Sequence, residues 1–373
     1  MTHPEFPLSD DLIYLNHAAV APWPLRTCEA VKSFAEQNTR FGAYHYPDWL
    51  KKERELREQL RILLNAPSTE DIALVKNTSE ALSFVAFGLE WAAGDNIVSS
   101  NEEFPSNRIP WQALALRGVE FREADLCGTN APEEALFSLV DENTRLLTIS
   151  SIQFASGLRL DLEKVGRFCK ANAILFCIDA IQSLGAVQLD VQSCHADFVM
   201  ADGHKWMCGP EGLGVFYSRP EARDRLGLTQ YGWHMLKCAH NYENKPWEIH
   251  PGAQRFECGS PNMLGIHALS ASLSLLLETG MEQVERAVIA NADCLAEAII
   301  QNERLELIST RFGHLKSGIV VFRHRELSNA VLFERLQSLR IVCALRGHGV
   351  RLSPHFYHSE TEMAGVANLL NRL

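Results

Sequence analysis

Between residues 72 and 217 one pattern recurs: a short β-branched or wholly apolar run, then a longer amphipathic stretch. The runs fall at 72–75, 96–99, 119–122, 146–150, 174–178, 198–201 and 214–217, each of strand length. Several segments between them have helical spacing. Over 79–91, Leu82, Val85, Ala86 and Leu89 sit at i, i+3, i+4 and i+7, and 162–171 follows the same logic. Parallel strands need long crossovers, usually helices, and those helices cover the faces of the sheet. The pattern therefore predicts an α/β fold with a mostly parallel, seven-stranded sheet between helices.

Further on the pattern changes. Helical stretches at 264–279 and 282–301 precede a strand at 318–323 and helices at 328–339 and 361–373. The expected division is a large domain over 21–255 and a smaller α+β domain built from 1–20 and 256–373. Charge narrows the function. With 46 acidic and 35 basic side chains the net charge is −11, which argues against a sequence-independent nucleic-acid binder or an anionic-membrane binder. No stretch approaches the roughly 20 apolar residues of a membrane span. Among the 10 cysteines the closest pair is Cys169 and Cys177, with no CxxC and no zinc-like spacing. The N-terminus carries no secretory pattern, so reduced thiols in a cytoplasmic enzyme are expected.

Three short segments carry chemistry. In Ala201-Asp202-Gly203-His204-Lys205-Trp206 a lysine follows an apolar strand and a glycine turn. A lysine on a partly buried loop can lose its proton and serve Schiff-base catalysis, although a lysine at a strand end is more often a surface residue. Asp179 ends the apolar run 174–178, 26 residues before Lys205. Ligands of open α/β sheets bind beyond the carboxyl ends of strands, where a carboxylate can keep a pyridine nitrogen protonated. Gln182 follows about one turn later, able to donate to a ring oxygen. Asn77-Thr78-Ser79-Glu80 leaves the first strand and opens a helix, a place for a phosphate or simply for a capping hydroxyl at Thr78 or Ser79. His204 can add a donor to the same anion. All three segments fall at carboxyl edges of strands expected to be adjacent.

Other stretches accompany these in order: Tyr14-Leu-Asn-His-Ala-Ala19, Glu103-Phe-Pro-Ser-Asn-Arg-Ile-Pro-Trp111, Gly209-Pro-Glu-Gly-Leu-Gly214, Arg255-Phe-Glu-Cys-Gly-Ser-Pro-Asn262 and Arg351-Leu-Ser-Pro-His-Phe-Tyr357. With them the chain resembles, nearly end to end, the class V aminotransferase group of fold-type I pyridoxal-phosphate enzymes, which includes cysteine desulfurases, isopenicillin N epimerase-like proteins and kynureninase. The resemblance implies that Lys205 holds pyridoxal 5′-phosphate as an internal aldimine and moves the Cα proton of an amino acid or amine through a quinonoid. It implies that Asp179 pairs with the pyridinium nitrogen and that Gln182 sits near the phenolic oxygen. Thr78, Ser79 and His204 would hold the phosphate, with Asp202 beside it and Phe104 stacked on the ring. Arg351 matches the arginine that clamps the α-carboxylate. Asn16, His17 and Gln153 are candidates for the substrate side, with His348, Tyr46 and Trp23 behind them. A homodimer with shared active sites is implied as well. Ser260 stands where relatives carry a threonine that reaches the neighbouring subunit's phosphate.

Departures from the family pattern bear on the reaction. Desulfurases stack a histidine on the cofactor where this chain has Phe104, and they carry a cysteine on a loop before the carboxylate-binding arginine. Here 341–351 has no inserted loop, and Cys343 lies in an apolar run that reads as a strand. Asp202 replaces a serine, with no evident reason. The short stretch from Arg346 to Arg351 is closer to the epimerase and aminotransferase branch. An aminotransferase is therefore expected, with a β-lyase or epimerase as the alternative and a desulfurase disfavoured. A catalytically retired binding protein is disfavoured by the joint presence of Lys205, Asp179 and Arg351. A nucleotide-binding reading of the glycines in 209–214 is weaker than a tight turn into the next strand.

Overall fold

The computed structural model describes residues 3–239, 241–243, 247–311, 313–346 and 348–373; Gly347, within the short arginine-bounded stretch, lies outside them. After a two-residue strand β1 (Ile13–Tyr14), seven strands form at the expected places. They are β2 (Ile72–Val75), β3 (Asn96–Ser100), β4 (Glu120–Ala124), β5 (Thr144–Ser150), β6 (Leu175–Asp179), β7 (Phe198–Asp202) and β8 (Gly214–Ser218). They make one sheet in the order β2-β8-β7-β6-β5-β3-β4. The pairs from β7 to β4 are parallel, each reached by a crossover.

The exception is β8. A turn through Gly212, at φ +83°, sends the chain straight back, so β8 runs antiparallel to β7. At Gly214 a Cβ would stand 2.5 Å from the Ala201 carbonyl oxygen, so glycine alone permits that approach. β2 then pairs antiparallel to β8 and so points the same way as β6 and β7. The carboxyl ends of β2, β6 and β7 share one edge, as the site requires, but β8 separates β2 from β7. The expected adjacency of all three strands is corrected in that respect.

Side chains alternate between the two faces. Leu147, Phe176, Ile178 and Val199 enter one core, Leu146, Leu175, Cys177 and Phe198 the other. A third core is built around β9 (Leu305–Leu307), β10 (Val320–His324), β11 (Ile341–Val342), β12 (Ala344–Arg346) and β13 (Gly349–Leu352), with Leu15 beside them. β1 pairs parallel with β11, which brings the early chain beside the C-terminal strands.

The helix Met263–Thr279 buries Ile266, Leu269 and Leu273 in the first core of the large sheet. In the next helix, Met281–Gln301, Val284 and Val288 still belong to that core, while Ala292, Leu295 and Ile299 belong to the third. This helix therefore serves both cores, and Ile319 and Val321 further on pack in the first core again. Gly280, at φ +83°, permits the 86° bend between the two helices. Among the described residues no single helix is long and apolar enough to cross a membrane.

Candidate active site

Lys205 stands in a turn whose carbonyls are tied one by one. Ala21 N donates to His204 O at 2.8 Å, Cys208 N to Lys205 O at 2.9 Å and Gly209 N to Gly203 O at 2.8 Å. Ser272 Oγ donates to Cys208 O at 2.8 Å. Trp206, buried behind the lysine, gives its indole N–H to Gln182 Oε1 at 2.9 Å. The turn holds the lysine over the end of β7, with Nζ 5.5 Å from the centre of the Phe104 ring.

Asp179 ends β6, is 1% exposed and accepts the Ile181 N–H at 3.0 Å. Burial pushes its carboxyl up to about 7, against the pull of that hydrogen bond, with buried Glu103 adding to the rise and Lys205 opposing it. Burial also pushes the Lys205 amine down to about 8; Asp179 resists this and Arg351 reinforces it. The pair thus holds a lysine much nearer neutrality than a solvated one, beside a carboxyl that lacks a full cationic partner.

At β2 the helix Thr78–Gly88 is capped by Asn77, whose Oδ1 accepts the Glu80 N–H at 2.9 Å. Capping is therefore not done by Thr78 or Ser79, the residues first considered for it. Among the described residues Thr78 Oγ1 is left buried with no partner, and Ser79 Oγ donates to Ser106 Oγ at 2.8 Å. His204 Nδ1 lies 3.1 Å from Asp202 Oδ1 without hydrogen-bond geometry, so among the described residues both atoms are buried and unpartnered.

From β13, Arg351 enters the same space at 1% exposure. One Nη donates to Phe154 O at 2.9 Å, Nε has no partner, and no carboxylate pairs with the guanidinium among the described residues. Burial and nearby Arg346 both disfavour its charge, so an incoming carboxylate would relieve a cost already present.

These groups line one cavity of about 340 Å³. Thr78, Ser79, Phe104, Asp179, Gln182, Asp202, His204, Lys205 and Arg351 all face it, as do Phe154 and Arg346, which the sequence reading missed. The signal for Arg346 was its place five residues before Arg351; for Phe154 there was only its neighbour Gln153.

Four predicted site residues do not face the cavity. His17 is fully buried, its Nδ1 donating to Ser353 O and its Nε2 accepting from the Tyr357 hydroxyl, both at 2.8 Å. Neither nitrogen is left for a substrate. Gln153 is also fully buried and spends its Nε2 on Glu103 at 2.8 Å. Asn16 bridges to Ser353 outside the cavity wall. Ser260 is exposed and outside the cavity of its own chain. Of the weaker candidates, Trp23 donates to Gly209 O, Tyr46 starts the helix Tyr46–Leu64, and His348 lines a neighbouring cavity that shares Phe154. Glu103, also unforeseen, anchors the turn bearing Phe104 by accepting from Ser150 N, Asn107 and Gln153.

A sequence model of the family described as Aminotransferase class-V matches residues 13–366. The chain belongs to the class V aminotransferase family. Among curated relatives of this class V enzyme is a probable cysteine desulfurase of Methanothermobacter thermautotrophicus, 28% identical over 99% of this chain and 96% of that protein. A cysteine desulfurase of Pectobacterium carotovorum is 31% identical over 83% of this chain and 77% of its own length. In fold the chain is similar to the cystine C–S lyase C-DES, solved with cysteine persulfide, at a TM-score of 0.90 and 23% identity, covering 98% and 99% of the two chains.

The class V cofactor is pyridoxal 5′-phosphate, and the residues here fit it. The orphaned Thr78 hydroxyl at a helix N-terminus suits the phosphate, and the buried Asp179 carboxyl suits a cationic ring nitrogen. Lys205 would bond the aldehyde carbon. Gln182 has both ends of its amide engaged, with Nε2 donating to Ala18 O at 3.0 Å, so only its second N–H is free for a ring oxygen. The chain is thus a pyridoxal-phosphate enzyme of this family, not a retired binding protein.

Arg351→Gln is expected to raise KM for α-amino carboxylates about ten- to a hundredfold, the worth of a charged hydrogen bond in a buried site. The cofactor's visible absorbance should not change. Steady-state kinetics on an amino acid and on its decarboxylated amine check this, since an equal loss on both would remove the carboxylate role.

Proposed function

We propose that this class V enzyme is a carbon–sulfur β-lyase, which releases the sulfur of a cysteine-derived L-amino acid without first taking it onto an enzyme thiol. The observation that carries the reading is the absence of cysteine from the cavity wall among the described residues, in a chain whose relatives are named for cysteine chemistry. Cys343, between β11 and β12, is 4% exposed in the third core, and burial pushes its thiol up to about 12. Cys208 is equally buried, packed with Phe6, Leu275 and Tyr357.

The bound cofactor supplies an electron sink for the pair left at Cα. Arg351 holds the substrate carboxylate, and Lys205 Nζ takes the Cα proton. Departure of the β-sulfur is then favoured over departure of a β-oxygen. The carboxyl and imidazole groups in the wall come from the ends of β6 and β7, while among the described residues β12 and β13 contribute only Arg346 and Arg351. A leaving group on that side faces guanidinium groups and departs more readily as a thiolate or persulfide than as an alkoxide. Arg346 then faces the anion. In balance, a cysteine-derived amino acid and water give the thiol, pyruvate and ammonia. We also infer a homodimer, supported by exposed Ser260 lying outside its own chain's cavity.

The test supplies holoenzyme with L-cysteine, L-cystine and S-substituted cysteines, and with L-alanine plus a keto acid. Pyruvate and ammonia in equal amounts, with no keto-acid acceptor and at unchanged rate in Cys343→Ala, are expected. Alanine as product, with activity lost in Cys343→Ala, would instead mark a desulfurase. A strict need for a keto-acid acceptor would mark an aminotransferase, the reaction the sequence alone favoured.

A further inference from the structure

One carbonyl of the lysine turn is held by a side chain from a distant segment. Trp206 O, immediately after Lys205, lies 2.9 Å from His355 Nε2. A carbonyl only accepts, so this nitrogen carries the proton. The other ring nitrogen, Nδ1, accepts the Phe356 N–H at 2.8 Å. Both positions are assigned, and the imidazole is neutral with one tautomer. Its surroundings enforce that choice. The ring is fully buried, with the His17 ring 5.0 Å away edge-on and the Trp206 indole 5.4 Å away. His355 N in turn donates to His358 Nδ1 at 3.0 Å, and His358 Nε2 reaches Tyr14 O at 2.9 Å. A second N–H on the His355 ring would point at the Phe356 N–H, another donor.

His355 lies four residues after Arg351 on the segment leaving β13. The two ends of a bound amino acid are thus gripped by parts that this hydrogen bond ties together: the carboxylate by Arg351, the Cα region by Lys205. We propose that His355 is a positioning residue that fixes the spacing between the carboxylate-binding Arg351 and the proton-moving Lys205, by holding the Trp206 carbonyl with Nε2–H. Loss of the bond leaves a buried carbonyl unpaired and lets the turn shift. A misplacement of about 1 Å in a reacting group costs on the order of a hundredfold in rate. This inference rests on the lysine's part in the family chemistry and is indifferent to whether the reaction is elimination or transamination.

Two isosteric replacements separate positioning from packing. In His355→Gln the amide N–H stands where Nε2–H does. In His355→Asn the shorter side chain can still accept from Phe356 N–H but cannot reach Trp206 O. The holoenzymes are compared by kcat and KM on any amino acid the wild type turns over, and by the pH midpoint of the cofactor's visible absorbance, which needs no substrate. The Asn variant should lose about ten- to a hundredfold in kcat with a displaced midpoint, and the Gln variant should stay within about threefold of wild type. Wild-type kcat and midpoint in the Asn variant would overturn the proposal. So would equal impairment of both variants at equal thermal midpoints, which would mark a packing role.

Discussion

Lys205→Ala is expected to remain folded, to bind pyridoxal phosphate only reversibly and to lose turnover by at least about a thousandfold, the scale of a lost proton-transfer group. Folding should survive because the turn is held by carbonyl bonds from Ala21, His355 and Ser272, none of which uses the lysine side chain. Attachment needs the neutral amine. With the wild-type amine lowered to about 8 by burial, the rate at which cofactor-free protein takes up pyridoxal phosphate should rise about tenfold per pH unit below 8 and level off above it. A solvated lysine would not level off until about pH 10.4. Stopped-flow absorbance at a series of pH values checks the wild type. For the variant, borohydride reduction followed by peptide mapping should find no cofactor attached to any lysine.

Asp179→Asn carries the other large effect, and its two halves have opposite sign. Without a carboxylate to keep the ring nitrogen protonated, turnover should fall on the order of a hundred- to a thousandfold, the range of removing one preorganised electrostatic group. The cofactor-free chain should become more stable at pH 8. In the folded state the carboxyl titrates near 7, against an ordinary 3.8, so between those values the folded chain holds a proton that the unfolded chain has released. Stability from this group is therefore full below about pH 4 and is lost as the pH climbs to 7. Asparagine removes that loss, worth about 2–4 kcal/mol. Thermal melts of the two cofactor-free proteins at pH 5 and pH 8 test it. The variant should gain at pH 8 and less than half as much at pH 5; a loss at pH 8 would mean the carboxylate is already compensated in the fold.

Much of this site was legible because its residues sit where strands end. Asp179 and Lys205 lie at or just past apolar runs, and Thr78 opens a helix, so strand direction alone carried them to one edge of the sheet. The antiparallel β8 was not legible in the same way. Its apolar run looks like any other, and only the glycines at 212 and 214 mark the reversal. Side-chain orientation was the second blind spot. His17 and Gln153 are the right residue types in the right segments, yet each turns into a hydrogen-bond network on the far side of the wall, toward Tyr357 and Glu103. Partners so distant in sequence leave no local trace. The same holds for His355, whose role depends on a carbonyl 149 positions away. The sharing of one continuous helix, Met281–Gln301, between two cores was not legible, because its amphipathic pattern does not change where the core does.

The reaction itself is tested most directly by the intact mass of wild-type holoenzyme quenched during steady turnover of a cysteine-derived substrate. An unmodified polypeptide, while pyruvate and the released sulfur species accumulate together, is the predicted result. A population heavier by one sulfur atom, localised to Cys343 and present in proportion to turnover, would contradict it.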